Sequence, residues 1–358
     1  MSDKRVKTIS WGIVGCGTVC EVKSGPAFYN CSNSSLIAAM RRDEAKAKDY
    51  AKRHSVEKVY TSARELIDDE SVDAVYVATP PGGDRIGIAK MVADTKKHVC
   101  YMEKPLGRDV NEAKEIVSIL QKANVPLYVA YYRRCMPKFV AVKKALDQKK
   151  IGNITGVSVT LHQSRHLQKD KSHWHYDKEI SGGGLFMDVG CHMLDLVDFF
   201  VGPIENATGR AFLSVKDQIV EDNVRGMWEH TCPVDGRRFG GSCVFNFTSG
   251  GPRRDEIEIT GTLGSVVVSC FDTKPAQLKL DSGNEVVALD AKHPYTVQQP
   301  MIQLLIQDIL SKTGCGINAG LDLDPDEFLC NGEAAVRTSE VLDKLLGRAK
   351  WTDDYMIT

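Results

Sequence analysis

The 358-residue sequence lacks a strong charge of either sign and lacks a long uninterrupted apolar run. Its 46 basic residues nearly balance its 47 acidic ones, for a formal net charge of -1. Because nucleic acids and anionic membranes attract basic proteins, we expect no nucleic-acid partner and no membrane partner. No run is apolar enough to cross a bilayer, and no secretion-signal layout is present, so we expect a cytoplasmic protein.

The sequence also lacks paired cysteine motifs. Its eleven cysteines are odd in number and include no C-x-x-C pair. Several lie inside apolar runs, where a free thiol packs like a small hydrophobic side chain. We therefore expect reduced, structural cysteines rather than a disulfide framework.

The first third of the chain alternates short apolar runs with amphipathic stretches, a pattern typical of βαβ units on a parallel sheet. The predicted strands are residues 8–14, 36–40, 74–79, 99–102 and 127–130. The predicted helices are residues 43–54, 63–67, 85–94 and 111–122. Asp43 and Asn111 stand where helix caps are expected. This pattern predicts a doubly wound nucleotide-binding domain.

The pattern changes after Pro137, where one helical stretch leads into strands separated by glycine-containing turns. These strands are predicted at residues 155–162, 241–247, 254–260, 265–269 and 276–280, with helices at 188–200, 301–310 and 331–346. We predict an α/β fold with two domains. A Rossmann domain spans residues 1–131, and an α/β domain with an open, mainly antiparallel sheet spans residues 132–358.

A glycine-containing turn, Gly15-Cys16-Gly17-Thr18-Val19-Cys20, follows the first predicted strand. It fits the dinucleotide fingerprint at its first two glycines, with Cys20 as a small residue at the third position. The first glycine permits a tight turn and the second lets the backbone approach a pyrophosphate. We predict that Gly15, Gly17, Thr18 and Val19 bind a dinucleotide; the alternative is an ordinary glycine turn.

The end of the second predicted strand distinguishes the two nicotinamide cofactors. An acidic residue there holds the ribose hydroxyls of NAD, but this chain carries Arg41 and Arg42. Guanidinium groups bind a 2′-phosphate through charge-assisted contacts. We therefore predict NADP(H) as the preferred cofactor, with NAD(H) possible. In the alternative interpretation both arginines are solvated and Asp43 binds the ribose.

Asp188 and His192 stand four residues apart after the run Gly182-Gly183-Gly184. On a helix both side chains would lie on one face, as proton transfer to or from a hydroxyl or carbonyl requires. His192 is the predicted general base in oxidation and general acid in reduction, and Lys104 is predicted to stabilise charge on the same oxygen. Asp188 would orient the imidazole or bind a neighbouring hydroxyl. The alternative for His192 is a core histidine.

A second set of residues forms weaker candidates. Arg133 is predicted to bind substrate, although a salt bridge between domains explains it equally well. Four histidines lie between residues 162 and 175, but their spacing is loose and no cysteine or carboxylate completes a tetrahedral set, so we predict no metal. Trp174 and His175 are instead predicted to belong to a substrate loop.

The order of several short motifs resembles that of the Gfo/Idh/MocA family of oxidoreductases. The motifs are the GCGTV turn, Ala78-Thr79-Pro80-Pro81, Glu103-Lys104-Pro105, the triple glycine, D-x-x-x-H at 188–192 and Gln298-Gln299-Pro300. The resemblance covers the whole chain. It implies hydride transfer at a sugar or polyol carbon, with Lys104, Asp188 and His192 in the active site and Thr79, Pro80 and Glu103 on the cofactor side. It also implies that the E-K-P bond is often cis.

The resemblance further implies that the open sheet forms oligomer contacts, as a homodimer or homotetramer. One departure is the loss of a histidine after Thr79-Pro80, where Gly82-Gly83-Asp84-Arg85 stands instead. We therefore predict an NADP(H)-preferring oxidoreductase that transfers hydride to or from a small carbohydrate-like carbonyl or alcohol. The alternatives are a lyase or glycosidase that retains its cofactor and uses transient oxidation, and a non-catalytic nucleotide sensor.

Overall fold

The computed structural model describes residues 7–95, 97–164, 174–216, 219–280, 285–289, 292–316 and 320–348. The strands, in chain order, are β1 Ile9–Val14, β2 Ser34–Met40, β3 Lys58–Tyr60, β4 Ala74–Val77, β5 Val99–Met102, β6 Leu127–Val129, β7 Ile154–Ser164, β8 Glu205–Phe212, β9 Asn223–Thr231, β10 Arg238–Ser249, β11 Arg254–Gly261, β12 Gly264–Val268, β13 Ala276–Leu280 and β14 Glu285–Leu289. The helices are α1 Thr18–Val22, α2 Gly25–Asn30, α3 Glu44–His54, α4 Ala63–Asp68, α5 Arg85–Ala93, α6 Val110–Lys122, α7 Pro137–Asp147, α8 Lys178–Ser181, α9 Cys191–Val201, α10 Gln299–Lys312, α11 Pro325–Phe328 and α12 Gly332–Leu346.

The chain divides into two compact units that differ from the predicted ranges 1–131 and 132–358. The first unit contains residues 1–107, 111–136 and 294–335, and the second contains 108–110, 137–293 and 336–358. The difference arises because α10 packs with the first unit. The Gln303 amide oxygen of α10 accepts a hydrogen bond from the Ser32 amide at 2.8 Å, and Tyr101 Oη donates to Gln298 at 2.9 Å.

The first unit contains a parallel six-stranded sheet in the order β3-β2-β1-β4-β5-β6. All residues of β4, β5 and β6 are buried, as expected for strands covered on both faces. The strand order reverses between β1 and β4, which creates a crevice at the carboxyl ends of these strands. The predicted Rossmann fold is confirmed.

The two predicted helix caps have different outcomes. Asp43 caps α3, and its Oδ1 accepts a hydrogen bond from the Lys46 amide at 3.1 Å. The prediction for Asn111 is wrong, because α6 begins one residue earlier, at Val110. The Val110 amide donates instead to Oδ2 of Asp343 at 2.9 Å, so a residue distant in sequence serves the start of this helix.

The second unit contains an eight-stranded sheet in the order β14-β13-β12-β11-β7-β10-β9-β8. Its pairs are antiparallel apart from β7 with β10, which confirms a mainly antiparallel sheet. Along β10 the inward positions Cys243, Phe245 and Phe247 are buried. β8, β9 and β14 were not predicted from the sequence. No residue of β8 is fully buried, so β8 carries little apolar alternation.

The segment predicted as one helix over residues 188–200 has two parts. Phe186–Gly190 forms a π-helical turn, and α9 follows from Cys191 to Val201. The Phe186 ring lies only 2.6 Å from the point where a Cβ on residue 190 would stand, so only glycine fits there. Because a π turn holds one more residue than an α turn, the four-residue spacing of Asp188 and His192 is not that of a regular helix.

Two other expectations bear on the class of protein. All eleven cysteines are free thiols in the structure, and most of them are buried. Among the described residues, no helix is both long enough and apolar enough to span a membrane.

Candidate active site

The glycine turn after β1 has two glycines with different requirements. Gly15 has φ +88°, and a Cβ there would lie 2.9 Å from Cγ2 of Thr79. The amides of Gly15 and Cys16 donate to the Met40 carbonyl at 3.0 and 3.1 Å, which ties the turn to the end of β2. At Gly17 a Cβ would meet only the Gly15 carbonyl, at 3.8 Å. The turn is therefore packed on one side and open on the other, where Thr18 and Val19 begin α1.

The residue that packs against this turn, Thr79, offers a hydroxyl to a ligand. Thr79 and Pro80 follow β4, the neighbour of β1 in the sheet. In the described part of the chain, Oγ1 of Thr79 is buried and has no hydrogen-bond partner. A buried hydroxyl without a partner is costly unless a ligand or water satisfies it. The open backbone at Gly17 and this hydroxyl fit the phosphate-bearing part of a dinucleotide.

Arg41 lies against the same turn. Its Nη1 donates to the carbonyl oxygen of Cys16 at 3.2 Å, while Arg42 is exposed to solvent. The carboxylate of Asp43 is engaged elsewhere, since it caps α3 and pairs with Lys46 Nζ at 2.9 Å. The Lys46 side chain and amide lower the pKa of Asp43. The alternative in which Asp43 binds the ribose competes with this capping contact.

The E-K-P motif follows β5 and is anchored by its own glutamate. Glu103 is 6% exposed, and its Oε1 accepts hydrogen bonds from Tyr76 Oη and Gln298 Nε2, each at 2.7 Å. Its Oε2 accepts from the Lys104 amide at 3.2 Å. Glu103 was predicted on the cofactor side, but this internal network accounts for its burial. The Lys104–Pro105 bond is cis, as the family resemblance implies.

Four predicted residues lie in the second unit, and two of them form a pair that was not foreseen. Nε2 of His175 lies 3.5 Å from Oδ2 of Asp188. The Trp174 and His175 rings are in contact at a centroid distance of 3.8 Å, with their planes tilted by 49°. His192 is 5% exposed, with the edge of its ring toward Phe271 at 6.2 Å between centroids. Asp188 therefore meets His175, the predicted substrate residue.

Sequence reasoning missed a buried carboxylate behind the triple glycine. Oε1 of Glu221 accepts a hydrogen bond from the Gly184 amide at 2.6 Å, and burial raises the pKa of Glu221. Arg348, which lies 166 residues further along the chain, donates a hydrogen bond to the Gly182 carbonyl. A Cβ on residue 183 would meet both Glu221 and Arg348, so the glycine there permits close packing. No local motif marks Glu221 or Arg348 in the sequence.

The remaining predicted residues have simpler surroundings. Arg133 is 8% exposed in a 3-10 turn, and its guanidinium lies 4.9 Å from the centre of the Tyr132 ring. Of the histidines considered for a metal, His162 lies on β7, whereas His166 and His173 fall outside the described residues. Within the described ranges, no three histidine, cysteine or acidic side chains group as metal ligands would.

Comparison with known proteins places these features in a family. Residues 9–131 match the model described as the oxidoreductase family with an NAD-binding Rossmann fold, and residues 139–267 match the GFO/IDH/MocA C-terminal domain. Oxidoreductase P35 of Formosa agariphila is 33% identical over 95% of this chain and 98% of its own length. The chain belongs to the Gfo/Idh/MocA family. It is an NAD(P)-dependent dehydrogenase or reductase.

More distant members share the fold. The 1,5-anhydro-D-fructose reductase of Ensifer adhaerens is 25% identical over 72% of this chain and 74% of its own length. A levoglucosan dehydrogenase solved with NADH and levoglucosan superposes with a TM-score of 0.77 at 20% identity, covering 95% of this chain and 96% of that one. In this Gfo/Idh/MocA member, Lys104 falls in the first matched region, and Asp188 and His192 fall in the second.

Proposed function

We propose that this enzyme prefers NADP(H) and moves a hydride to or from a CH–OH carbon of a sugar, polyol or related carbonyl compound. The observation that carries the cofactor preference is the position of Arg41 over the glycine turn, with Asp43 engaged at the cap of α3. A guanidinium there attracts a 2′-phosphate, whereas a free carboxylate would repel it. Arg42 adds a second positive charge beside it.

The proposed roles follow the chemistry of each side chain. A bound nicotinamide cofactor would accept or supply the hydride. The hydroxyl proton of the substrate passes to the His192 imidazole in oxidation and returns from it in reduction. The Lys104 ammonium donates a hydrogen bond to the same substrate oxygen and stabilises the negative charge that develops there. Asp188 holds His175, which together with Trp174 and Arg133 contacts the rest of the substrate.

A carbohydrate-like substrate suits the side chains proposed to bind it. Imidazole, carboxylate and guanidinium groups donate or accept the hydrogen bonds that vicinal hydroxyls offer, and an indole ring packs on the apolar face of a sugar. Relatives named as an anhydrofructose reductase and a levoglucosan dehydrogenase support the same class of substrate. We propose reduction of a carbonyl compound as the working direction.

The proposal includes a cytoplasmic homodimer or homotetramer that associates through the eight-stranded sheet. Met227 on β9 supports this surface, since it is 63% exposed and neighbours the buried Trp228. Contiguous exposed apolar surface favours association, and we propose that Met227 is part of such a surface on this sheet. Light scattering coupled to size exclusion should give twice or four times the chain mass, and Met227→Lys should shift the species toward monomer. A monomeric wild type would contradict this part.

Titration of the purified enzyme tests the cofactor preference, with nicotinamide fluorescence as the signal for NADPH and NADH. NADPH should bind more tightly, and Arg41→Ala should weaken NADPH by roughly 10-fold or more, as for the loss of a charge-assisted contact. NADH binding should change little. Lys52→Ala is the matched control, because it removes an exposed positive charge at the opposite end of α3. Equal weakening of both cofactors would contradict a contact with the 2′-phosphate.

A second assay tests the reaction itself. The loss of NADPH absorbance is followed when NADPH is mixed with sugars, dicarbonyls or ketoses. The gain of NADPH absorbance is followed when NADP is mixed with polyols or diols. Turnover of at least one member of this panel is the expected result. Cofactor that binds tightly without net turnover of added nicotinamide would favour the retained-cofactor lyase, and binding without any chemistry would favour the sensor.

A further inference from the structure

Arg85, the first residue of α5, is a buried cation that no role described so far uses. It is 2% exposed. Its Nη1 donates to the carbonyl oxygens of Glu103 at 2.5 Å, of Leu106 at 3.1 Å and of Pro105. Its Nε and Nη2 donate to the carbonyl oxygen of Thr79, Nε at 3.2 Å. One guanidinium therefore connects the loop after β4 with the loop after β5.

The acceptors of Arg85 bracket Lys104. The Glu103 carbonyl precedes that residue and the Pro105 carbonyl follows it, so the main chain on both sides of Lys104 is held by the same side chain. The acceptor in the loop after β4, Thr79, packs its methyl group against Gly15 of the glycine turn. Arg85 thus fixes the Lys104 main chain relative to the turn that fits a dinucleotide.

The energetics favour an arginine over any other side chain here. Burial lowers the pKa of Arg85 to about 10, so the group remains charged at neutral pH. A buried charge is costly unless polar groups replace its water, and here main-chain carbonyl dipoles do so. The planar guanidinium offers five donors in a fixed fork, whereas a lysine ammonium offers three from a single point. Lysine can reach some of these carbonyls and cannot hold both loops in the same geometry.

We propose that Arg85 is a positioning residue, which sets the place of Lys104 by holding the two loops together. The inference deepens the proposed function, on which the catalytic importance of Lys104 rests. Arg85 contacts main-chain carbonyls, and it acts on the reaction through Lys104.

The test reads the environment of Lys104 directly and needs no turnover. Lysines are reductively methylated with ¹³C-formaldehyde, and the Lys104 methyl signal in the NMR spectrum is assigned by its loss in Lys104→Arg. The variants are Arg85→Gln and the milder Arg85→Lys. Val92→Ala is the control, since it removes buried volume from the same helix, α5, seven residues after Arg85. Unfolding in urea gives the stability of each variant.

In both Arg85 variants the Lys104 signal should shift or split, and in Val92→Ala it should keep its wild-type position. With an active substrate from the panel, kcat of Arg85→Lys should fall about 10- to 100-fold, the scale of a small misplacement of a reacting group. An unchanged Lys104 signal in a folded Arg85 variant would overturn the proposal. So would a loss of kcat in Val92→Ala equal to that in Arg85→Lys at matched stability. If Lys104→Ala keeps wild-type turnover, the catalytic role proposed for Lys104 fails, and the NMR result still decides whether Arg85 positions Lys104.

Discussion

The two compact units hold their candidate residues by different means. In the first unit the residues follow strands of a parallel sheet, and main-chain groups fix them: the Met40 carbonyl binds the glycine turn, and Arg85 binds the carbonyls around Lys104. In the second unit Asp188 and His192 lie on a π turn and the helix after it. Side chains contact them there: His175 Nε2 lies 3.5 Å from the Asp188 carboxylate, and the His192 and Phe271 rings meet edge to face.

This difference has a consequence for what each unit tolerates. Anchoring in the first unit depends mostly on glycine, on backbone dihedral angles and on the buried Arg85 cation, together with the buried Glu103 carboxylate at the E-K-P loop. Side-chain anchoring depends on titratable groups and on packing. We therefore expect the first unit to be sensitive to changes of shape and the second to changes of protonation.

The largest effect is expected at His192. His192→Ala should lower kcat by about 10²- to 10⁴-fold, because it removes the group proposed to move the hydroxyl proton. Cofactor affinity should be unchanged. The control is His230→Asn, which alters another buried histidine of the same unit, one bound by Trp228 at 2.8 Å. A wild-type kcat in His192→Ala would identify His192 as a core histidine.

A smaller loss is expected at Lys104. Lys104→Ala should lower kcat by about 10²- to 10³-fold, the scale seen when one donor to a developing oxyanion is lost. Lys90→Ala is the matched control, since Lys90 is exposed on α5 and pairs with Glu115 at 3.6 Å. If Lys104→Ala raises KM at constant kcat, Lys104 binds the ground state and the charge-stabilising role is refuted.

The comparison also explains how much the sequence could predict. The parallel sheet, the glycine turn and the E-K-P loop follow from local patterns, because a buried strand and the turn after it are adjacent in sequence. The cap at Asp43 was predicted for the same reason. These local features needed no information from distant residues, whereas the place of α10 in this unit depends on contacts made far along the chain.

What the sequence could not predict involves residues distant along the chain. Glu221 reaches Gly184 and Asp343 reaches Val110, over separations that no local motif encodes. The π turn at Phe186–Gly190 was missed because helical spacing does not distinguish a π turn from an α turn. Arg85 was noticed only as a departure from the family pattern, and its role depends on two loops that meet only in the fold.

Gly15→Ala tests the main-chain anchoring of the first unit. A positive φ and a Cβ only 2.9 Å from Thr79 should together lower the free energy of unfolding by about 1–3 kcal/mol and weaken NADPH binding. Gly314→Ala is the control, since Gly314 has φ +71° but open space around its missing Cβ. Urea unfolding measures the free energy of unfolding of the two variants, and nicotinamide fluorescence measures their NADPH binding. An equal cost in the two variants would show that backbone strain alone matters and that the contact with Thr79 does not.

The smallest effect is expected from Glu221→Gln, which tests the dependence of the second unit on protonation. Burial raises the pKa of Glu221, so the folded protein binds this proton more tightly than the unfolded chain does. The contribution of Glu221 to stability should therefore be fully present below the usual pKa of glutamate and be lost as the pH rises through the raised value. Glutamine keeps an oxygen that accepts from Gly184 and does not ionise.

The Glu221→Gln variant should melt about 2–4 °C above the wild type at alkaline pH, and the gap should close as the solution is acidified. Glu229→Gln provides the opposite case, because the Asn206 side chain lowers the pKa of that exposed carboxyl. It should give no gain at alkaline pH. A melting temperature of Glu221→Gln that runs parallel to the wild type at every pH would mean that the carboxylate at Gly184 ionises freely. The stability of the second unit would then not depend on a shifted pKa of Glu221.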